Sequence, residues 1–246
     1  MEFRLVRAHV VALLRDLLRT PSFLIPTVGF PTMFYCIFAL GYARTNADTA
    51  NFIVCSYVGF AMLGVTLFQF GVGVANERGR PWERYLRALP VSVATRFAAR
   101  VIVALIFGAA SAGLVGIVAR LLSPVTLDAA QWFLLALAAV FGAIPFVLIG
   151  LAIAYWVPAR GALPVTNLLY LLGLFAGGFF MPPQYLPSFA QAISPYTPTR
   201  QFGELLWSVT GAHDAPHAMS VLVLYALAFA AIAIIGYRRD ERTRYA

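Results

Sequence analysis

Few side chains in this sequence have the types and spacing that enzyme or metal chemistry requires. Its three histidines include His213 and His217, whose spacing would suit zinc ligands on one face of a helix. Pro216 lies between them and no third strong ligand is near, so a solvated loop explains the pair better. The sequence has no His-Glu-x-x-His and no Gly-x-Ser-x-Gly motif. We therefore predict neither a metal site nor a catalytic site.

The basic residues exclude a further group of reactions. All 18 are arginines, and none is a lysine. A Walker A loop and a Schiff-base enzyme both depend on a lysine side chain. If this protein uses ATP, a separate chain must hydrolyse it, and we expect this chain to bind no cofactor itself.

The composition indicates an integral membrane protein. Hydrophobic residues make up 61% of the chain and charged residues 11%, whereas average soluble proteins have about 25% charged residues. The apolar runs are continuous and do not alternate, which argues against a β-barrel. Each is long enough to cross a hydrocarbon core of about 30 Å. We predict an all-α membrane fold in one domain, residues 1–246, with spans at Ser22–Tyr42, Phe52–Ala75, Val101–Leu121, Trp132–Val157, Leu163–Met181 and Met219–Tyr237.

Apart from Arg120 near the end of the third, the predicted spans contain no side chain that is charged at neutral pH. Transporters driven by protons or sodium usually need such groups near the middle of the membrane. Isolated polar residues such as Gln69, Ser111 and Asn167 are more typical of hydrogen bonds between helices. Ion-coupled transport is therefore disfavoured.

The arginines predict how the chain crosses the membrane. Six spans place both termini on one side, and 15 of the 18 arginines fall on that side. The other three are Arg44, Arg120 and Arg200. By the positive-inside rule, we expect both termini in the cytoplasm. The net charge of +8 then reports topology and does not indicate nucleic-acid binding.

The two cysteines are not expected to form a disulfide. Cys36 falls within the first predicted span, and Cys55 falls near the start of the second. These positions lie at different depths in the membrane, so a packing role is the better interpretation for both.

The N-terminal segment, residues 2–19, is predicted to be an amphipathic helix. Its apolar face carries Phe3, Val6, Val10, Leu13, Leu14 and Leu17, and its basic face carries Arg4, Arg7, Arg15 and Arg19. Such a helix lies naturally in the membrane interface. A lipid anchor is the simpler interpretation, and contact with a cytoplasmic partner remains open.

The loop after the second span is longer than a connector needs to be. Pro81 and Pro90 could bound a short helix, and Trp82, Leu86 and Leu89 would form an apolar edge on it. A solvated turn with positive-inside arginines would explain the charges. It explains the apolar edge less well.

The segment after the fifth span is apolar and rich in proline. A chain that leaves a helix, turns at prolines and stays apolar is better explained by short re-entrant or interfacial helices than by a wet loop. An aromatic belt on the outer leaflet is the alternative. The residues that mark this segment are Gly178, Pro182, Leu186, Pro187 and Pro195.

These two segments resemble those of the type-2 permeases of ABC exporters. The first reads Glu77-Arg-Gly79-x-x-x-Glu83-x-x-Leu86-x-x-x-Pro90-Val-Ser, where the family has the coupling helix that docks on its ATPase. The family usually has threonine after the glycine, whereas this chain has Arg80. By resemblance, the docking residues are Glu77, Gly79, Trp82, Glu83, Leu86, Leu89 and Pro90.

The resemblance implies the membrane subunit of a bacterial ABC exporter in the cytoplasmic (inner) membrane. Two permease copies, identical or related, would form the pathway and bind two copies of an ATPase that carries ATP and magnesium. The chain itself would have no catalytic site. The substrate would be amphipathic or lipid-like, such as a drug, a lipid or a glycan. A channel or facilitator without an ATPase, or a membrane assembly factor, remains the alternative.

Aromatic side chains in the spans are candidates for the substrate path. The neutral, aromatic interior suits hydrophobic drugs or lipid tails. Aromatic residues in spans nevertheless face lipid or a neighbouring helix more often than a ligand. The candidates are Phe34, Phe68, Phe175 and Phe179.

Overall fold

The computed structural model describes residues 2–78, 93–211 and 214–245. These residues form helices and connecting turns, with no strand among them. Six helical segments are long and apolar enough to cross a membrane, which confirms the predicted all-α membrane fold. They are span 1 (Leu24–Ala43), span 2 (Ala47–Arg78), span 3 (Phe97–Leu122), span 4 (Ala129–Trp156), span 5 (Ala159–Gly177) and span 6 (Ala218–Asp240).

Span 2 is the central helix of the bundle. Its apolar residues occur on all sides, which is the pattern of a fully surrounded helix. Spans 1, 3, 4 and 5 pack around it. Span 6 packs mainly on the second half of span 4.

Two spans contain a π-helical turn, and a third is interrupted by proline. The π turns are Tyr35–Ala39 in span 1 and Phe68–Gly73 in span 2. Span 4 consists of two helices, Ala129–Gly142 and Ile144–Trp156. Pro145, in the first turn of the second helix, lacks a backbone N–H, so the regular hydrogen-bond ladder cannot continue through it.

Span 5 ends earlier than the sequence suggested. We expected it to reach Met181, but the helix ends at Gly177. Gly178 follows in the left-handed conformation, with φ of 81°. The N–H groups of Gly178 and Phe179 close the last turn on the carbonyls of Phe175 and Leu174. Glycine takes this conformation without the steric cost of a Cβ.

The segment between spans 5 and 6 is built from short helices, as its prolines predict. They are Pro183–Tyr185, Ser188–Ile193, Ser194–Tyr196, Pro198–Trp207 and Ser208–Thr210. We call residues 178–197 the far-end segment and Pro198–Trp207 the far-end helix. Their depth in a membrane remains a prediction.

The N-terminal helix, Glu2–Leu18, has the predicted two-sided character. Its side chains Val10, Leu13, Leu14 and Leu17 pack against the apolar cluster that spans 2, 3, 4 and 5 form. Arg4, Arg7 and Arg15 are exposed, and Arg19 is exposed just beyond the end of the helix. The helix therefore lies along span 3 with its basic side outward. Its position at a membrane interface stays a prediction.

Candidate functional site

The clearest polar site lies where spans 2, 4 and 6 end together. We call this the basic end of the bundle, since Arg78, Arg160 and Arg238 lie there. Span 2 ends with Glu77 and Arg78, immediately before residues 79–92. The helix that contains span 3 begins after those residues, at Val93. The side chains that border residues 79–92 therefore belong to the ends of two packed helices.

Arg78 joins three helices through a buried guanidinium. Its Nη1 lies 3.2 Å from Oδ1 of Asp240 at the end of span 6, and both side chains are 9% exposed. The same guanidinium donates to two carbonyls at the end of span 4, from Nη1 to Tyr155 O at 3.1 Å and from Nη2 to Val157 O at 3.3 Å. Carbonyls at the end of a helix lack helical partners, and a cation is favourable there.

Spans 4 and 6 pack closely beside this ion pair. The indole Nε1 of Trp156 donates to the carbonyl of Ile232 at 3.0 Å. A Cβ added at Gly236 would lie 2.6 Å from that Nε1, so the close approach requires glycine. The rings of Tyr155 and Tyr237 meet edge to face with centroids 5.5 Å apart. The two helix ends thus form one packed unit with Arg78.

A second ion pair links the two sides of residues 79–92. The Nη2 of Arg100, on span 3, donates to Oε2 of Glu77 on span 2. The Glu77 side chain is 40% exposed, unlike the buried Asp240. Glu77 therefore keeps carboxylate surface that another chain can reach.

The predicted docking residues are only partly placed. Glu77 lies at the basic end and bonds to Arg100 within the chain. Gly79, Trp82, Glu83, Leu86, Leu89 and Pro90 lie outside the described residues. The sequence reasoning missed Arg78, Arg100 and Asp240. The positive-inside rule already explains the two arginines, and nothing local pairs Asp240 with either of them. The available signal was that Arg78 and Asp240 are the charged residues at which spans 2 and 6 end.

The far-end segment contains the five residues predicted to mark it. Gly178 directly follows the end of span 5, Pro182 and Pro187 each directly precede a short helical piece, and Pro195 lies inside the turn Ser194–Tyr196. Leu186 is buried. The prolines therefore set where each short helix begins.

The far-end helix is inserted between spans and carries an ion pair. The Thr197 hydroxyl accepts from Arg200 N at 3.2 Å, and Pro198 occupies the first turn, where its missing N–H costs nothing. The Nη2 of Arg200 lies 2.5 Å from Oε1 of Glu204. Buried Trp207 donates from Nε1 to Oγ of Ser56 on span 2 at 2.8 Å.

Two of the four predicted substrate-path aromatics meet in one cluster. The ring centroid of Phe60 on span 2 lies 5.8 Å from that of Phe34 on span 1 and 5.6 Å from that of Tyr170 on span 5. Tyr170 in turn lies 5.5 Å from Phe68. Phe180 lies 6.1 Å from Phe60. We call these five residues the aromatic cluster.

The aromatic cluster coincides with the two π turns. Phe34 directly precedes the π turn of span 1, and Phe68 begins that of span 2. Such turns occur frequently at functional sites. Since Phe34 and Phe68 are only half-buried, the cluster retains accessible ring surface.

The other two predicted aromatics lie outside the aromatic cluster. Phe179 is buried against Phe202 and Trp207, with centroids 6.2 Å and 6.0 Å away. Phe175 is half-buried on span 5. Phe179 is thus placed to hold the far-end helix against the bundle.

The histidine pair offers no metal centre among the described residues. No group of three or more His, Cys, Asp or Glu side chains that could hold a metal occurs in residues 2–78, 93–211 and 214–245. His217 is exposed, and His213 lies outside those ranges.

Comparison with known proteins identifies relatives along nearly the whole chain. A family model described as ABC-2 type transporter matches residues 4–210. A Bacillus subtilis (strain 168) protein named "Putative transport permease YvfS" is 24% identical over 237 residues. That alignment covers 94% of this chain and 96% of the relative.

Proposed function

This chain belongs to the ABC-2 type transporter family and is a membrane permease of an ABC transporter, and we propose that it works as an exporter. In this proposal it moves an amphipathic or lipid-like substrate out of the cytoplasm. Two permease copies, identical or related, assemble with two copies of a separate ATPase. ATP and magnesium bind to that ATPase, and residues 77–90 receive its motion.

The observation that carries this proposal is the pair of ionic contacts at the basic end. Arg78–Asp240 joins the end of span 2, just before residues 79–92, to the end of span 6. Arg100–Glu77 joins the same end of span 2 to span 3, which follows residues 79–92. A flexible connector would need neither contact. A segment that passes the motion of an ATPase to the spans must be firmly attached to them, because a loose attachment would let the segment move without moving the spans.

The aromatic cluster supports the proposed substrate class. It joins spans 1, 2 and 5 through rings and contains no charged group. Aromatic faces suit acyl chains and flat hydrophobic molecules, which bury large apolar areas against them. We propose that Phe34 and Phe68 contact the moving substrate.

Exposed apolar surface on spans 1 and 5 supports a two-copy assembly. The outward side chains include Ile25, Phe30, Ile37 and Phe38 on span 1, and Leu163, Leu168, Leu171 and Leu172 on span 5. We propose that a second permease copy covers part of this surface and lipid covers the rest.

The arginine distribution supports the proposed orientation. With the basic end in the cytoplasm, 15 of the 18 arginines lie on the cytoplasmic side of the membrane, as the positive-inside rule requires. We propose the bacterial cytoplasmic membrane as the location. Reporter fusions at each terminus test this: alkaline phosphatase should be inactive and green fluorescent protein should be fluorescent at both ends.

The proposal is tested by co-expressing the chain with an ATPase whose gene neighbours its own. Co-purification in nanodiscs measures association. Transport is followed with ethidium and with a fluorescent phospholipid. The variant Glu77→Ala/Trp82→Ala should lose both association and transport.

The matched control is Asp48→Ala/Phe133→Ala, which removes an exposed acid and an exposed aromatic ring away from the basic end. It should retain association and transport. If the Glu77→Ala/Trp82→Ala variant retains both as well, the proposed docking role is wrong. If the wild type never associates with an ATPase, the exporter proposal fails as a whole.

A further inference from the structure

We infer that Arg78 and Asp240 are positioning residues that transmit displacement of residues 79–92 to the far-end segment through spans 4 and 6. The inference rests on the proposed function, because it needs an ATPase that moves residues 79–92. It adds the route by which that motion crosses the membrane.

The first step of the route is the buried ion pair. Arg78 is the last residue of span 2 before residues 79–92, and its guanidinium contacts Asp240 and the carbonyls of Tyr155 and Val157. Separating these groups would leave a charge unpaired in an apolar surrounding, which is strongly unfavourable. The ends of spans 2, 4 and 6 are therefore expected to move as one body.

The second step is the stiffness of the span 4 and span 6 pair. Trp156 and Gly236 hold the two helices in close contact for more than a turn beyond the ion pair. The guanidinium of Arg239 lies 5.3 Å from the Trp156 ring and covers it. Packed helices shift between discrete arrangements more readily than they deform, so displacement at one end reaches the other.

The third step is contact with the far end. On span 6, the hydroxyl of Tyr225 donates to the carbonyl of Tyr196, within the far-end segment. On span 4, the ring of Phe146 in the second helix lies 5.5 Å from that of Phe202, centroid to centroid, so this helix and the far-end helix touch directly. Both helices held by Arg78 thus reach the region between spans 5 and 6.

The Glu77–Arg100 pair differs from Arg78–Asp240 in burial and in what it joins. It joins span 2 to span 3, and its carboxylate is 40% exposed. Solvent screening weakens such a contact, and its loss leaves no buried charge. It joins the residues on either side of 79–92, and the transmission runs through Asp240.

The experiment measures motion at the far end without needing the natural substrate. Tyr185, which is 71% exposed in the far-end segment, is replaced by cysteine in a Cys36→Ala background. The remaining cysteine, Cys55, is buried. Labelling with a water-soluble maleimide is followed in nanodiscs containing the ATPase complex, with and without ATP.

In this background, ATP should change the labelling rate at position 185. The variant Arg78→Gln/Asp240→Asn removes both charges, so no unpaired charge is buried and the chain should fold. Labelling is compared between samples that contain equal amounts of bound ATPase and hydrolyse ATP at equal rates. The variant's ATP-dependent change in labelling rate should fall about tenfold, which is within the range of effects that typical coupling free energies between sites produce. Asp240→Glu should recover part of the response.

The control is Arg238→Gln, which removes an exposed arginine at the same end of span 6. It should respond to ATP as the background does. A full response in Arg78→Gln/Asp240→Asn, or no response in the background itself while ATP is hydrolysed, overturns the inference and leaves the exporter proposal intact. Failure of the background to associate with the ATPase overturns both.

Discussion

Trp207 donates its indole N–H to the hydroxyl of Ser56 at 2.8 Å, and this contact ties the far-end helix to the first third of span 2. Ser56 in turn donates to the carbonyl of Phe52 at 3.0 Å. The Phe52 ring stacks on Trp207 with centroids 4.8 Å apart. The far-end helix is therefore an integral part of the bundle.

Replacing Ser56 with alanine should destabilise the protein. The substitution removes the hydrogen-bond acceptor of a buried indole, and hydrogen bonds between helices in membranes are worth about 0.6 to 2 kcal/mol. A thermal unfolding midpoint in detergent measures the loss. Ser220→Ala is the control, since Ser220 is exposed and donates to the nearby His217 carbonyl within the same turn. Equal midpoints for the two variants would contradict the prediction.

Replacing Gly59 with alanine should destabilise the same interface by packing. A Cβ at this position would collide with the Phe179 ring and lie 2.6 Å from Cδ1 of Leu206. Overpacking of this kind typically costs about 1 to 3 kcal/mol. Gly113→Ala on span 3 is the control, because a Cβ there meets nothing within 4 Å. We expect the control to be neutral or slightly stabilised in the same unfolding assay.

The two cysteines should differ in reactivity. Cys36 is exposed on span 1 and Cys55 is buried in span 2, and neither forms a disulfide. In detergent, membrane-permeant N-ethylmaleimide should modify Cys36 about tenfold faster than Cys55, because access controls thiol reactivity. Mass spectrometry of the labelled protein measures the two rates. Cys36→Ala should leave the native chain almost unlabelled, and denaturation in dodecyl sulfate should then expose Cys55.

Glu77 and Arg100 should have separable roles. Arg100→Gln leaves the exposed Glu77 carboxylate in place, so ATPase binding should change by no more than about threefold. Glu77→Gln removes the charge itself, and binding should weaken by about tenfold or more. Titration of purified ATPase against each variant in nanodiscs gives the two affinities. Equal losses would show that Glu77 acts only through Arg100.

The aromatic cluster should affect transport more than stability. Phe68→Ala removes a half-buried ring that contacts Tyr170, so we expect the transport rate of ethidium or labelled phospholipid to fall about tenfold. Phe133→Ala, on the exposed side of span 4, should leave that rate unchanged. A Phe68→Ala variant that unfolds at lower temperature but transports normally would assign the ring to packing alone.

Much of the fold follows from local sequence. Backbone polar groups in hydrocarbon must be satisfied within the chain, so each long uncharged apolar run has to be a helix. The six spans, the two-sided N-terminal helix and the short helices after span 5 all follow from such runs and from their prolines. The helix end at Gly177 did not follow, because Phe179, Phe180 and Met181 are as apolar as the span itself.

The candidate sites depended on pairings that local patterns do not encode. Arg78 resembles every other arginine near a span end, and only the folded bundle brings it to Asp240 and to the carbonyls of Tyr155 and Val157 at the end of span 4. Phe68 and Phe179 are both aromatic residues in or beside apolar spans, yet one joins the aromatic cluster and the other is buried under the far-end helix. The sequence by itself determined which segments can cross the membrane, because an apolar run in hydrocarbon must satisfy its own backbone N–H and C=O groups, which is a local requirement. The tertiary structure decided which charges pair and which rings meet, because those contacts depend on how distant helices cross.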